Sequence, residues 1–155
     1  MPFISVTRLK LRSIRFLPGF AVDAIRTNRQ IKTASGFQLG SLLMDRDWTF
    51  WTMTAWDSQD SMLGYMRTGN HKTAMPHLAG WCDEASVVHW EQEEAALPSW
   101  SEADRRMRGQ GRPSRVRNPS PQHQALTFRT PRTAAAVPLR RGSREGSDPM
   151  PNAPF

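Results

Sequence analysis

The chain has 155 residues, enough for one domain with an extension, and carries a formal charge of +7. That charge is lopsided: residues 1–97 hold 10 Lys+Arg and 10 Asp+Glu, whereas residues 98–155 hold 11 Arg, 4 acids and 9 of the 12 prolines. A basic appendage does not make the globular part a nucleic-acid binder. The single cysteine (Cys82) excludes an internal disulfide and a cysteine-rich zinc site, and no apolar run reaches the ~18 residues of a membrane span.

Phe3–Leu11 alternates, with β-branched content, and predicts a strand. Residues 17–33 predict a helix. Pro18 stands in its first turn, Phe20, Ala24, Ile25, Asn28 and Ile31 follow at helical spacing, and Arg26, Arg29 and Lys32 take the wetter side. Ser35-Gly36 ends it. Phe37–Asp45 and residues 48–56 (WTFWTMTAW) predict two strands of an antiparallel hairpin, turned at Arg46-Asp47. Asp57 or Ser58 caps the next helix, which offers Met62, Leu63, Tyr65 and Met66 to a core. Thr68-Gly69 stops it, and Asn70 is the expected cap of a second piece. There Ala74, Leu78 and Trp81 form a stripe, and Pro76 predicts a kink or a fresh start. Cys82-Asp83-Glu84 reads as a solvated turn and residues 85–91 as the last strand.

The order β-α-β-β-α-β predicts an α+β, ferredoxin-like domain over residues 1–97, with helices on one face of an antiparallel sheet. A different α+β order is the alternative, should an outer run not be a strand. The second sheet face, with Trp51 and Met53 or else Phe50 and Trp56, needs a cover, which predicts a homodimer packed sheet to sheet. Ser99-Trp100-Ser101-Glu102 has the form of a capping box, so residues 98–122 predict a helix (Trp100, Ala103, Met107) and an extended arm. From His123 onward apolar periodicity vanishes, and residues 123–155 predict a disordered Arg/Pro-rich tail.

Candidate chemistry gathers in residues 69–90, GNHKTAMPHLAGWCDEASVVHW, which hold three of the four histidines. His71 is a candidate general base or substrate-orienting group, against a surface histidine beside a cap. His77 is a candidate base or haem-iron ligand, against an exposed polar-face residue. The two stand six positions apart, which is not the spacing of a two-histidine metal site on one helix. His89 lines a pocket or is a satisfied core residue. Cys82 has no neighbouring cation to activate it, and Asp83 and Glu84 point apart along a strand. Trp51 and Trp81 are the expected pocket walls. Arg112 and Arg115 clamp an anionic substrate group, reach a partner subunit, or belong to a solvated basic tail. No phosphate-loop, dinucleotide, nucleophile-elbow or zinc-peptidase motif is present.

The topology, the aromatic third strand and the segment HKTAMPHLAGWCDEASVVHW resemble the dimeric α+β barrel superfamily. Within it they are similar to bacterial proteins related to spheroidene monooxygenase and to antibiotic biosynthesis monooxygenase-like proteins. The continuation LPSWSEADRRMRGQGRPSRV is also similar, so the resemblance spans residues 3–122. It implies a pocket between helices and sheet for a hydrophobic substrate, with Phe50, Trp51, Trp56 and Trp81 as its aromatic content. The superfamily spans cofactor-free quinol-type monooxygenases, haem-degrading enzymes, haem-bound oxygenases and isomerases, and fold does not choose among them.

The expected function is a monooxygenase-like enzyme acting on a hydrophobic organic substrate, with His71 or His77 as proton acceptor. The sequence requires no cofactor; a haem-dependent version would use His77. The alternative is a non-catalytic dimeric binding module for an apolar small molecule. Nucleic-acid binding by the tail is not expected, because no aromatics interleave with the arginines between Arg105 and Arg117. The expected compartment is the cytoplasm.

Overall fold

The computed structural model describes residues 1–142; the rest of the chain, residues 143–155, lies outside the described part. Alternating β-branched and aromatic residues form Phe3–Leu11 (β1), Phe37–Asp45 (β2), Thr49–Trp56 (β3) and Cys82–Glu91 (β4). Between them lie Leu17–Lys32 (α1), Gln59–Met66 (α2) and Gly69–Trp81 (α3). Pro18 sits in the first turn of α1, and Ser58 Oγ caps α2 by accepting from Ser61 N at 3.1 Å. Asn70 does not cap α3; the cap position is Thr68, which makes no side-chain bond to the helix start. Pro76 does not break α3 either. Pro76 and Lys72, whose carbonyl loses its helical partner, are both on the exposed side of the helix.

All strands join one antiparallel sheet of order β5-β4-β1-β3-β2-β6, where β5 is Arg112–Pro113 and β6 is Ala136–Arg140. The inner four strands have the ferredoxin-like order, and α1, α2 and α3 cover one face. Trp100–Gln110 (α4) opens as expected, with Ser99 Oγ accepting from Glu102 N at 3.1 Å.

Three expectations need correction. First, β4 follows α3 directly, so Cys82-Asp83-Glu84 is strand, not a solvated turn. A bulge opposite Lys10 and Leu11 lets Asp83 meet Lys10 Nζ at 3.2 Å, while Glu84 is buried against Arg8. Second, residues 123–142 are not a structureless tail. His123 is buried: Ala85 N donates to its Nδ1 at 3.3 Å, which leaves its Nε2–H to donate to the Ser114 carbonyl at 2.9 Å. Phe128 and Leu139 are buried too, and β6 pairs with β2. Residues 143–155 of that expectation lie outside the described residues.

The third concerns the uncovered sheet face. Ile4, Val6, Trp51, Met53, Val88 and Trp90 form its core, and the chain itself covers them with Ala103 and Met107 of α4 and with Phe128. Trp51 meets Trp100 and Phe128 edge-on, at centroid separations of 6.3 and 5.5 Å. The open aromatic face that motivated a sheet-to-sheet homodimer is therefore absent from the folded chain. Residues 112–132, called the strap below, are fastened through Glu84. It accepts from Arg8 Nη1 at 2.5 Å and from Ser120 Oγ at 2.7 Å, and the Arg8 guanidinium lies 4.0 Å from the Phe128 ring centre.

Candidate functional site

The helix-covered face holds two separate apolar clusters. One joins Phe3, Ile31, Phe37, Trp56 and Met62 at one end of the sheet; the other joins Leu11, Phe20 and Cys82 at the other. α1 is anchored at both ends, by Phe20 against Phe50 (centroids 4.6 Å apart) and by Ile31, the only two residues it buries. Its middle, Ala24 to Asn28, lies over the middle of the sheet and stays partly exposed.

Beneath that stretch runs one cross-strand rung. Val87, Thr7, Thr52, Leu42 and Val137 are successive partners on β4, β1, β3, β2 and β6. None of the five is buried, although four lie in inner strands. The adjoining rung, Ser5, Thr54, Gly40 and Leu139, is buried throughout, with only His89 partly open. The unburied rung is an accessible strip on the helix-covered face of the sheet, referred to below as the trough floor. Its surface combines small hydroxyls with aliphatic side chains, which suits an apolar molecule bearing a few polar atoms.

At the β4 end the rung continues into Arg112, the partner of Val87 on β5. Two positions from Val87 stands His89, half-buried and 5.4 Å from the Phe3 ring, with its Nε2 buried and without a hydrogen-bond partner. Burial, and then the Arg112 charge, push its pKa below the ordinary histidine value. A neutral imidazole with a free nitrogen at the end of an apolar trough is able to accept a proton. His89 and Arg112 are 23 positions apart in sequence, and only the strand register unites them.

The other predicted residues are dispersed. His71, in α3, packs on Tyr65 at 4.9 Å with Nδ1 3.2 Å from the Met66 carbonyl. Burial lowers its pKa against the opposing pull of that carbonyl, so it too is biased to the neutral form. His77 is exposed, pairs through Nδ1 with Asp23 Oδ2 at 2.8 Å, and stacks on Trp81 at 4.9 Å. Trp81 lies against Gly19 and Phe16, while Trp51 is on the opposite face of the sheet, so the two do not wall a common pocket. Arg115 borders an open depression of about 460 Å³ lined by the strap itself, between Pro113 and Gln124. A second depression, about 570 Å³, lies between α1 and α2 beside Gln30 and Tyr65. Neither contains a buried polar atom left without a partner, as the trough's end does.

Cys82 is buried, and burial followed by the Asp83 charge pushes its thiol up to about 12, which removes it as a nucleophile. Among the described residues no group of three or more His, Cys, Asp or Glu is placed to hold a metal ion. Nor does His77 fit haem: it stands on the outer surface between α1 and α3, with one ring nitrogen taken by Asp23 and no apolar enclosure beside it.

Comparison with known proteins agrees with this architecture. The family model described as "Domain of unknown function (DUF3291)" matches residues 15–141. The chain belongs to this family. No curated relative matches it by sequence. Solved structures do match. A protein from Nitrosomonas europaea assigned as an antibiotic biosynthesis monooxygenase aligns with TM-score 0.53 and 13% identity, over 59% of this chain and 89% of its own. Rv0793 from Mycobacterium tuberculosis aligns with TM-score 0.56 and 9% identity, over 62% and 100%. SnoaB, a cofactor-independent oxygenase from Streptomyces nogalater, aligns with TM-score 0.51 and 16% identity, over 63% and 98%. At such identities the likeness is one of fold: this DUF3291 chain shares the α+β architecture of antibiotic biosynthesis monooxygenase-like proteins. The share of the chain that these structures match corresponds to the length of the four-stranded core with its helices.

Proposed function

We propose that this DUF3291 protein is a cofactor-independent oxygenase whose substrate is an apolar organic molecule with an acidic C–H or O–H, of quinol or anthrone type, lying in the trough under α1. The observation that carries this reading is the unburied rung Val87–Thr7–Thr52–Leu42–Val137, an apolar and hydroxyl-bearing floor that the fold leaves open between two closed clusters. The named activity of SnoaB on a similar fold supports it. Arg112 attracts an anionic or phenolic oxygen at the β4 end, and His89 takes the proton there. His71 and His77 remain candidate bases from α3, each with one ring nitrogen engaged and the other free to act.

The chemistry balances without a cofactor. A histidine removes a proton from an acidic methylene or phenol of the substrate, and the resulting anion gives electrons to dioxygen. A carbon–oxygen bond forms; loss of water from the peroxide leaves a carbonyl. The substrate supplies all four electrons and the two hydrogens: one oxygen atom becomes the product carbonyl and the other leaves as water. An apolar substrate lying on this floor displaces the water that would otherwise solvate the anion.

A homodimer of this chain would use another surface or displace the strap. We place the protein in the cytoplasm, in keeping with its single, buried cysteine. No helix among the described residues is long and apolar enough to cross a membrane.

The test is oxygen uptake with a panel of quinols, anthrone-type phenols and carotenoids. Substrate-dependent uptake, reduced at least ~100-fold in His89→Ala, is the expected result for loss of a general base. Uptake that His89→Ala leaves intact but His71→Ala or His77→Ala removes would move the base to α3. A second reading, a binding module without turnover, is favoured by one fact: the rung itself bears no titrating side chain. A co-purified apolar ligand seen by mass spectrometry, with no uptake across the panel, would select it.

A further inference from the structure

The trough's open side has an unusual rim. Around the axis of α1, at about 100° per residue, Phe20 and Ile31 define the side facing the sheet. Asp23, bonded to His77, and Gln30, whose Nε2 donates to the Tyr65 and Thr68 carbonyls, define the side facing α2 and α3. The remaining side faces β6, where Gly142 N donates to the Lys32 carbonyl at 3.1 Å. Ile25 projects over that side, and Val22 stands on the outer surface beside it. Across the opening, Val137 and Met44 lie on the same sheet face as the trough floor. All four are exposed, from 47% at Val22 to 58% at Met44.

Cations flank this apolar rim. Arg26, Arg29 and Lys32 are exposed on α1. The one acid of α1, Asp23, is turned to His77 and away from the rim. The rim therefore combines aliphatic side chains with positive charge and no acid of α1. Those are the two properties an anionic bilayer surface selects: aliphatic groups enter the acyl boundary while the arginines meet lipid phosphates.

We propose that the trough mouth is a membrane-docking rim. Val22, Ile25, Val137 and Met44 enter the surface of an anionic bilayer, Arg26 and Arg29 bind its phosphates, and an apolar substrate passes from lipid into the trough. The inference rests on reading the trough as an apolar-substrate site. A second copy of the chain is the weaker occupant, because two-fold packing of this face would set Arg26 and Arg29 of one copy against those of the other.

The experiment is co-sedimentation of the full chain with phosphatidylcholine vesicles, with and without phosphatidylglycerol, in the absence of substrate. Substrate turnover is measured separately with detergent-solubilised substrate, so loss of docking and loss of the oxygenase reading give different patterns. Binding to anionic vesicles that weakens with salt is expected. Arg26→Glu with Arg29→Glu should lower partitioning by roughly tenfold or more. Ile25→Asp and Met44→Asp should each lower it severalfold at unchanged net basicity elsewhere, which separates the rim from the arginines of the C-terminal segment. Both sites are exposed, so unchanged thermal melts will show that the variants fold. No sedimentation with anionic vesicles, or sedimentation that Ile25→Asp and Met44→Asp leave unchanged, overturns the proposal. So does self-association by light scattering that Ile25→Asp abolishes, since the face would then belong to a second copy.

Discussion

Arg8 and Glu84 form a buried pair whose side chains are only 7% and 8% exposed, and their cost when split is predictable. Removing one partner leaves a buried charge unmatched, so Arg8→Ala or Glu84→Ala should lose about 3–5 kcal/mol in urea unfolding. Replacing both by apolar residues of similar volume should recover most of that loss. Burial alone would raise the Glu84 pKa; the bonds from Ser120 and Arg8 outweigh it and hold the carboxyl below its usual range. The sequence showed that Asp83 and Glu84 point apart, but their cations, Arg8 and Lys10, lie more than seventy positions away and pair with them only across the sheet. His71 and His89 add a pH dependence. Both are held below the ordinary histidine pKa, mainly by burial, so the unfolded chain takes up their protons first as pH falls. Stability is therefore full above about pH 6.5 and declines as pH drops through that value toward the folded pKa values. Melting temperature measured from pH 8 to pH 5 should fall in the wild type and stay flatter in a His71→Gln, His89→Gln variant. A flat wild-type profile would contradict the placement of both rings.

At the scale of elements, the strands are legible because alternation is local: β1 and β2 coincide with the alternating runs to the residue, and α1 with its apolar spacing to within one. The trough is not. Thr7, Thr52, Val87 and Val137 look unremarkable one by one, and their common rung exists only once four pairings and their registers are known. The same non-locality hid the role of the C-terminal segment. Phe128 and Leu139 are isolated apolar residues in a polar stretch; no period marks them, yet each fills a gap prepared by distant strands. Two substitutions test this level. Thr52→Trp places a bulky strand-former on the open floor, so stability should change by less than ~1 kcal/mol while binding of any apolar ligand is lost. Gly36→Ala should destabilise strongly. Its φ is +80°, and an added Cβ would lie 2.3 Å from Asp57 Oδ1 and 2.4 Å from Ser61 Oγ, so the turn between α1 and β2 has no room for it.

For the molecule as a whole, the strap takes the place that a partner subunit was expected to fill. α4 and Phe128 close the Trp51 face, and His123 and Ser120 hold residues 112–132 on β4. The full chain should therefore show no sheet-to-sheet association by light scattering at micromolar concentration. A version ending at residue 97 exposes Ile4, Val6, Trp51, Met53 and Trp90 together, and should self-associate or aggregate. If the shortened chain stays monomeric and folded, α4 and the strap are not the cover described here.

The central claim is that the unburied rung under α1 is the substrate site of an oxygenase. Oxygen consumption by wild type and Thr52→Trp across one panel of quinols, anthrone-type phenols and carotenoids tests it most directly. The account predicts uptake with at least one apolar substrate, lost in Thr52→Trp while its thermal melt is retained. Uptake that persists in Thr52→Trp, or no uptake from any member of the panel, would contradict it.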